Sequence, residues 1–163
     1  MEAATAELRE TSVLLPGIAQ LLEKLHEEPG VTQTLLTGNL EPNARVKLRL
    51  FGLDRWLDLE IGAYGSDHVD RDALVPIALE KARRVRGLDF SRDHVWVIGD
   101  TERDLVCARA ANVRCLLVGT GRAGLDAVAS LPADAIMPDL SEAEDVFSIL
   151  GLAEELPMEA TGE

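Results

Sequence analysis

Apolar residues fall along the chain in two patterns, short continuous runs and longer stretches with helical spacing. The short runs predict strands, and they comprise Val31–Thr37, Leu57–Tyr64, His94–Gly99, Arg114–Val118 and a weaker run at Ala135–Met137. Helical spacing places Ile18, Leu21, Leu22 and Leu25 on one face, and the same spacing recurs in each later interval between strands. Because strands that alternate with helices form βαβ units, the pattern predicts a three-layer α/β sandwich with a mainly parallel sheet.

Turn and capping residues agree with this division. Pro16-Gly17 precedes the first helix. Asn39 is suited to cap the helix after the first strand, with Pro42 inside its first turn, and Ser141 is suited to cap the last helix.

The composition of the 163-residue chain is that of one soluble globular domain, with 47% hydrophobic and 28% charged residues. Its 16 basic and 29 acidic residues give a net charge of -13. This charge argues against nucleic acid and against an anionic membrane as partners, since both require clustered Lys and Arg. A small anionic substrate stays compatible with it, because a metal ion or a helix N-terminus can dominate the local field.

Cys107 and Cys115 are too few for a disulfide framework and lack zinc-site spacing, so both are interpreted as small buried apolar residues. No apolar run approaches the roughly 18 residues that span a bilayer, and the acidic N-terminal segment has no apolar signal core. The expected location is therefore a reducing cytoplasm.

Small, hydroxylated and acidic residues follow the predicted strands, at the sheet edge where parallel α/β folds bind ligands. Asp100 ends the third strand, and Asp104 lies four residues later in the first turn of the next helix. Two carboxylates converging above a strand are typical of a Mg²⁺ site, which also uses waters and substrate oxygens. The alternative interpretation makes Asp100 a helix N-cap and Asp104 a solvated charge.

Two further strand ends carry candidate binding residues. Thr37-Gly38-Asn39 offers a hydroxyl and unhindered backbone N–H groups for an anion, or forms an ordinary strand-to-helix turn. Gly119–Gly124 reads GTGRAG, which satisfies the dinucleotide motif GxGxxG, and Asp139 lies twenty residues after Gly119. Dinucleotide binding is the less favoured interpretation, because no second mononucleotide half follows and the putative second strand, AIMPD, contains Pro138.

Three segments give the chain a resemblance to the haloacid dehalogenase-like hydrolase superfamily, near its phosphoglycolate-phosphatase-like members. They are LLTGN at Leu35–Asn39, FGLDRWLDLEIGAYG at Phe51–Gly65 and VWVIGDTERD at Val95–Asp104, within a similarity that covers roughly residues 13 to 150. The resemblance implies a Rossmann-like fold and Mg²⁺-dependent hydrolysis of phosphomonoesters, with a small phosphorylated metabolite as substrate.

The resemblance also implies roles for individual residues. Thr37 would bind the transferring phosphoryl group together with Gly38 and Asn39, and Asp100 and Asp104 would serve the metal. The family's third motif is a lysine at a helix start, where the best-placed residue of this chain is Arg71. Lys81 lies too far into the helix to be preferred for that role.

The sequence departs from this family at its first motif, a strand that ends in DxDGT and supplies the nucleophilic aspartate. No such element occurs here, and Met1–Leu14 contains no aspartate. We therefore expect the chain as given to be inactive or nearly so as a phosphatase, because the covalent route needs that carboxylate. The alternative, from a different functional class, is a catalytically dead α/β module for binding or assembly.

Without that strand, the strands Val31–Thr37 and His94–Gly99 lose their shared neighbour in the sheet. Either they pair directly or another segment fills the position, and self-association through the gap is one expected route. The simplest origin is the C-terminal part of a longer enzyme. On this interpretation residues 1–14 are the remnant of a helical cap, 15–152 form the α/β core, and 153–163 are a polar, disordered tail.

Overall fold

The computed structural model describes residues 14–121 and 124–152. The expectations for 153–163, and for the cap remnant apart from Leu14, lie outside the described residues. Six α-helices occur in the described parts: α1 (Ile18–Glu27), α2 (Glu41–Leu50), α3 (Leu74–Lys81), α4 (Glu102–Ala110), α5 (Gly124–Val128) and α6 (Ala143–Leu150). None of the helices in the part of the chain described is long and apolar enough to cross a membrane.

Five short strands alternate with these helices: β1 (Leu36–Thr37), β2 (Ala63–Tyr64), β3 (Trp96–Gly99), β4 (Arg114–Val118) and β5 (Ala135–Met137). All pairings are parallel, as the βαβ pattern predicts, and the α/β fold class is confirmed. The strands form two sheets, one of order β1-β2 and one of order β3-β4-β5. Direct pairing of β1 with β3, one of the two expected alternatives, is therefore not found among the described residues.

The first two strands are shorter than predicted, because side chains hold the segments that were expected to extend them. Gln33 Nε2 donates to the carbonyls of Leu22 and Trp56, at 2.9 and 3.3 Å. Thr34 Oγ1 donates to the Asp58 carbonyl at 2.7 Å, and Asp58 N donates to the Gln33 carbonyl. The predicted strands Val31–Thr37 and Leu57–Tyr64 are thus connected by isolated contacts, and a ladder forms only over their last two residues.

The predicted caps of two helices are wrong. Leu40, not Asn39, precedes α2, and its side chain makes no capping bond, although Pro42 lies in the first turn as expected. Asn39 is engaged elsewhere, since its carbonyl accepts from Gly65 N at 2.9 Å. Glu142, not Ser141, precedes α6.

One helical layer covers both sheets. Helix α3 contacts β1, β2 and α4, while α4 contacts β3 and β4. The side chain of Leu36 in β1 packs against the cluster that contains Val97 and Leu117, and also against the cluster of Ala63 and Leu74. The two sheets therefore share one apolar core although no ladder joins them.

Candidate functional site

Asp104 is the buried centre of the carboxylate loop, with only 5% of its surface exposed. Its Oδ2 accepts hydrogen bonds from the backbone N–H groups of Asp100 and Thr101, at 3.1 and 3.0 Å, and from Thr101 Oγ1 at 2.7 Å. Thr101 and Asp104 also form a capping box at the start of α4. The alternative interpretation, in which Asp100 caps the helix and Asp104 is a solvated charge, is therefore wrong. Thr101 is the N-cap, and Asp104 is buried.

Arg71 reaches this carboxylate from a distant part of the sequence. It begins the 3₁₀ turn Arg71–Ala73, whose N-cap Asp70 accepts a hydrogen bond from Asp72 N. The Arg71 Nη2 atom donates to Asp104 Oδ1. The Cys107 thiol donates to the Arg71 carbonyl at 3.2 Å, so α4 holds both the backbone and the side chain of Arg71.

The Asp100 carboxylate faces the loop that follows β4. A Cβ atom placed on Gly121 would lie 2.6 Å from Asp100 Oδ2, so a residue without a side chain is needed for this approach. Among the described residues, no hydrogen bond or ion pair occupies the Asp100 carboxylate oxygens. In this arrangement Asp104 holds the loop together, and Asp100 is left as the carboxylate with oxygens open to a ligand.

The Thr37-Gly38-Asn39 turn ends β1 and is tied to the end of β2. Thr37 Oγ1 accepts from Asn39 N at 3.1 Å, and a Cβ atom on Gly65 would lie 2.1 Å from the Gly38 carbonyl. A Cβ atom on Gly38 itself would meet nothing within 4 Å, so the space above this turn is open. No hydrogen bond between described residues joins the turn to the Asp100–Asp104 loop, which lies in the other sheet.

Lys81 is held in a separate cluster below the loop that follows β2. Its Nζ donates to the Gly62 carbonyl and to Asp67 Oδ2, both at 2.8 Å, and lies 5.5 Å from the centre of the Tyr64 ring. Burial alone would raise the pKa of Asp67, but the hydrogen bonds from Lys81 and from Tyr64 N lower that pKa below its usual value. These contacts hold Lys81 Nζ against Gly62, just before β2, and against Asp67 in the loop after β2.

The donor set fits Mg²⁺ in chemistry, although the described residues contain no group of three or more His, Cys, Asp or Glu side chains able to hold a metal. Mg²⁺ prefers oxygen ligands and is commonly held by one or two carboxylates, with waters and phosphate oxygens completing the octahedron. Asp100 offers such a carboxylate with open oxygens, whereas Asp104 Oδ1 already accepts from Arg71 and its Oδ2 accepts from the Asp100–Thr101 segment. Gly121 lets the Asp100 carboxylate approach the loop after β4 closely, because it has no side chain.

The glycine-rich loop is filled by the protein's own atoms where it is described. A Cβ atom on Gly119 would lie 2.7 Å from the Leu125 side chain, and Gly121 faces the Asp100 carboxylate, which repels an anion. Helix α5 has only five residues, and Arg122 and Ala123 lie outside the described residues. These features do not favour a pyrophosphate at this loop.

Thr101 and Cys107 support the site without being predicted from the sequence, and Gly121 was predicted only as part of the dinucleotide motif. Thr101 could have been found from its spacing, because Thr101 and Asp104 stand three positions apart as in a capping box. No sequence signal relates Cys107 to Arg71, because that contact joins residues 36 positions apart.

Comparison with known proteins identifies the family. The model of the haloacid dehalogenase-like hydrolase family matches residues 1–109. The chain belongs to this family. A curated relative, pyrophosphatase PpaX of Halalkalibacterium halodurans, is 26% identical over 133 residues, which make up 82% of this chain and 59% of that protein. The chain thus spans well under two thirds of that relative's length.

Solved structures support the same fold. A putative phosphatase from Clostridium difficile has a TM-score of 0.69 at 17% identity, covering 85% of this chain and 62% of that chain. CbbY from Rhodobacter sphaeroides, solved in complex with phosphate, has a TM-score of 0.65 at 21% identity, covering 86% of this chain and 61% of that chain. The expected haloacid dehalogenase-like, Rossmann-like fold is therefore confirmed.

Proposed function

We propose that the carboxyl edge of the two sheets binds Mg²⁺ and the phosphoryl group of a small phosphorylated metabolite. In this proposal Asp100 and Asp104 serve the metal, and Thr37, Gly38 and Asn39 hold the phosphoryl oxygens. Arg71 supplies positive charge in place of the family's lysine. The parent reaction is phosphomonoester hydrolysis, and a diphosphate substrate is compatible with the same groups because a curated relative is named a pyrophosphatase.

The observation that carries this proposal is the different environment of the two carboxylates in one loop. Asp104 is buried and accepts four hydrogen bonds, from two backbone N–H groups, the Thr101 hydroxyl and Arg71. Asp100 lies four residues earlier, against bare glycine. A buried, fully bonded carboxylate that orients a partly exposed one is a common way to support a metal ligand.

Each group has a task that follows from its chemistry. Bound Mg²⁺ would supply charge neutralisation for the phosphoryl oxygens. Asp100 would coordinate the metal. Asp104 would hold the loop together and orient the Arg71 guanidinium, which donates a hydrogen bond to Asp104 Oδ1. The Thr37 hydroxyl and the backbone of Gly38 and Asn39 would bind phosphoryl oxygens from the other sheet. None of these groups is the aspartate nucleophile, so we propose little or no turnover by the chain as given.

Binding and turnover can be tested separately. Backbone amide NMR should show shifts at Gly38, Asn39 and Thr101 when inorganic phosphate is added with Mg²⁺, and little change with phosphate alone. Shifts confined to other surfaces would contradict the binding site. Turnover of p-nitrophenyl phosphate with Mg²⁺ should stay near background. Robust turnover that Asp100→Ala abolishes would show that the nucleophile lies elsewhere in this chain.

A second candidate is a non-catalytic binding or assembly module. The division of the strands into two sheets favours it, because β1 and β3 each have a strand neighbour on one side only among the described residues. A module of this kind would keep its fold and its partner when Asp100 is changed to Asn. The phosphate-binding proposal instead predicts loss of Mg²⁺-dependent binding in that variant.

A further inference from the structure

A cavity of about 260 Å³ lies between the end of α1 and the segments that lead into β1 and β2. Six side chains of its lining carry the argument: His26, Val31, Thr32, Arg55, Trp56 and Leu57. Because β1 and β2 are parallel, both segments approach the sheet at its amino end, whereas the Thr37-Gly38-Asn39 turn leaves it at the carboxyl end. The cavity is therefore separate from the candidate metal and phosphate residues.

Hydrogen bonds hold the walls of this cavity together. The Gln33 side chain donates to the carbonyls of Leu22 in α1 and of Trp56, and Asp58 N donates to the Gln33 carbonyl at 2.8 Å. The Asp58 carboxylate also borders the cavity, but both of its oxygens accept hydrogen bonds from Arg86, at 2.7 and 3.1 Å. The cavity is thus formed in advance of any ligand, and the one acidic group in its lining is already paired with a cation.

Three polar side chains of the lining are left without protein partners. His26, Thr32 and Arg55 make no hydrogen bond or ion pair with any residue of the described ranges. The Arg55 guanidinium lies over the Trp56 ring, 4.1 Å from its centre, which orients the cation and leaves its N–H groups free to donate. An imidazole ring has at least one N–H group in either protonation state, and a threonine hydroxyl donates as well. All three residues therefore offer donors, and Arg55 adds a permanent positive charge.

The rest of the argued lining is apolar. Val31, Trp56 and Leu57 provide aliphatic and aromatic surface beside these donors. Small-molecule sites typically combine such surface with a few polar groups that fix the orientation of the ligand. A volume of about 260 Å³ lies just below the range of roughly 300–1,000 Å³ that holds drug-sized ligands, so the cavity suits a smaller molecule.

We propose that this cavity binds a small carboxylate with a flat apolar body, such as an aromatic acid. The carboxylate accepts hydrogen bonds from the Arg55 guanidinium and from the Thr32 hydroxyl or the His26 ring, and the flat body packs against Trp56. The proposal does not depend on the proposed function, because the two sites share no residue.

Benzoate is the probe, added to the full chain without Mg²⁺ and followed by backbone amide NMR. Shifts should appear at residues 31–33 and 55–58 and be absent at Gly38 and Thr101. Benzamide has the same shape without the charge, and inorganic phosphate has charge without the ring, so each should bind at least about tenfold more weakly than benzoate. Equal binding of either compound in the cavity, or benzoate shifts spread evenly over the surface, would overturn the proposal.

Variants of the chain give a second readout. Arg55→Gln should weaken benzoate binding by at least about tenfold, because it removes the cation, and Thr32→Val by about threefold, because it removes one donor without changing the charge. Arg84→Gln is the matched control, since Arg84 is exposed in the π-helical turn Ala82–Arg86 and has no ion pair within the described ranges. All three variants should keep the thermal unfolding midpoint near that of the parent. Undiminished benzoate binding by Arg55→Gln and Thr32→Val, or an equal loss in Arg84→Gln, would overturn the proposal.

Discussion

The guanidinium of Arg71 donates a hydrogen bond to the buried carboxylate of Asp104, 33 positions further along the chain. The contact joins a 3₁₀ turn before α3 to the first turn of α4, and Cys107 holds the same turn through the Arg71 carbonyl. A buried carboxylate is stable only when it is paired and hydrogen-bonded, and four donors meet this need for Asp104. The two carboxylates of the loop should therefore respond differently to mutation.

We predict that Asp104→Asn lowers the free energy of unfolding by about 2–3 kcal/mol. The substitution leaves Arg71 without its charged partner, and it replaces one carboxylate oxygen, which accepts hydrogen bonds, by an NH₂ group, which cannot accept them. Asp100→Asn should change that free energy by less than about 0.5 kcal/mol, since its carboxylate oxygens have no partner among the described residues. Urea denaturation followed by Trp fluorescence measures both. Equal destabilisation by the two variants would contradict the assignment of separate roles.

The fold could be predicted from the sequence where the sheet is regular. Strands β4 and β5 have the predicted bounds, because their apolar runs are paired through their whole length. The strands β1 and β2 could not be bounded in this way, since Gln33 and Thr34 replace ladder bonds with side-chain bonds. Hydrophobic periodicity indicates which residues are buried, but it does not indicate which groups form hydrogen bonds with the backbone.

The site could be predicted only in part. The spacing of Asp100 and Asp104 placed both in one loop after β3, but spacing alone left Asp104 open as a solvated charge. Its burial depends on Thr101 beside it and on Arg71 from another part of the chain. No sequence pattern marks Arg71, which only the family resemblance indicates. Tertiary contacts of this kind leave no periodic signal.

The contact between Gly121 and Asp100 gives a second prediction. Gly121→Ala should weaken Mg²⁺ binding by about tenfold or more, because its Cβ atom would lie 2.6 Å from Asp100 Oδ2 and displace the carboxylate. Broadening of the Thr101 and Asp100 amide signals by Mn²⁺, added as a paramagnetic substitute, measures the effect without enzyme activity. Gly119→Ala is the control, since its Cβ atom would strain the same loop against Leu125 and not against Asp100. Identical losses in the two variants would refute a specific contact.

The Lys81 cluster gives a prediction with a defined pH dependence. Lys81→Met should lower the free energy of unfolding at pH 7 by about 1–2 kcal/mol, because it removes hydrogen bonds to Gly62 and Asp67. The folded pKa of Asp67 lies below its unfolded value of about 3.9, so the stability from the pair is present above that value. It is lost as the pH falls through the folded pKa.

Urea unfolding of parent and variant at several pH values measures this dependence. The difference between them should be constant between about pH 5 and pH 7 and should shrink below about pH 4. Lys47→Met is the matched control, because Lys47 is exposed on α2 and has no ion pair among the described residues. A difference that persists unchanged in acid would show that the methylene chain of Lys81, and not its charge, stabilises the cluster.

The two cysteines give the last prediction. Burial raises the pKa of the Cys107 thiol, and it raises that of Cys115 to about 12. Both side chains are buried, at 1% and 0% exposure, in the core that α4 shares with β4. Since the thiolate is the reactive form, neither cysteine should react with iodoacetamide in the folded chain at pH 8, while both should react in urea.

The rate of cysteine labelling should then follow the rate at which the chain unfolds. Asp104→Asn should therefore increase the labelling rate in native buffer, and Asp100→Asn should not. Rapid labelling of Cys115 in the folded parent chain would contradict the packing of β4 described above.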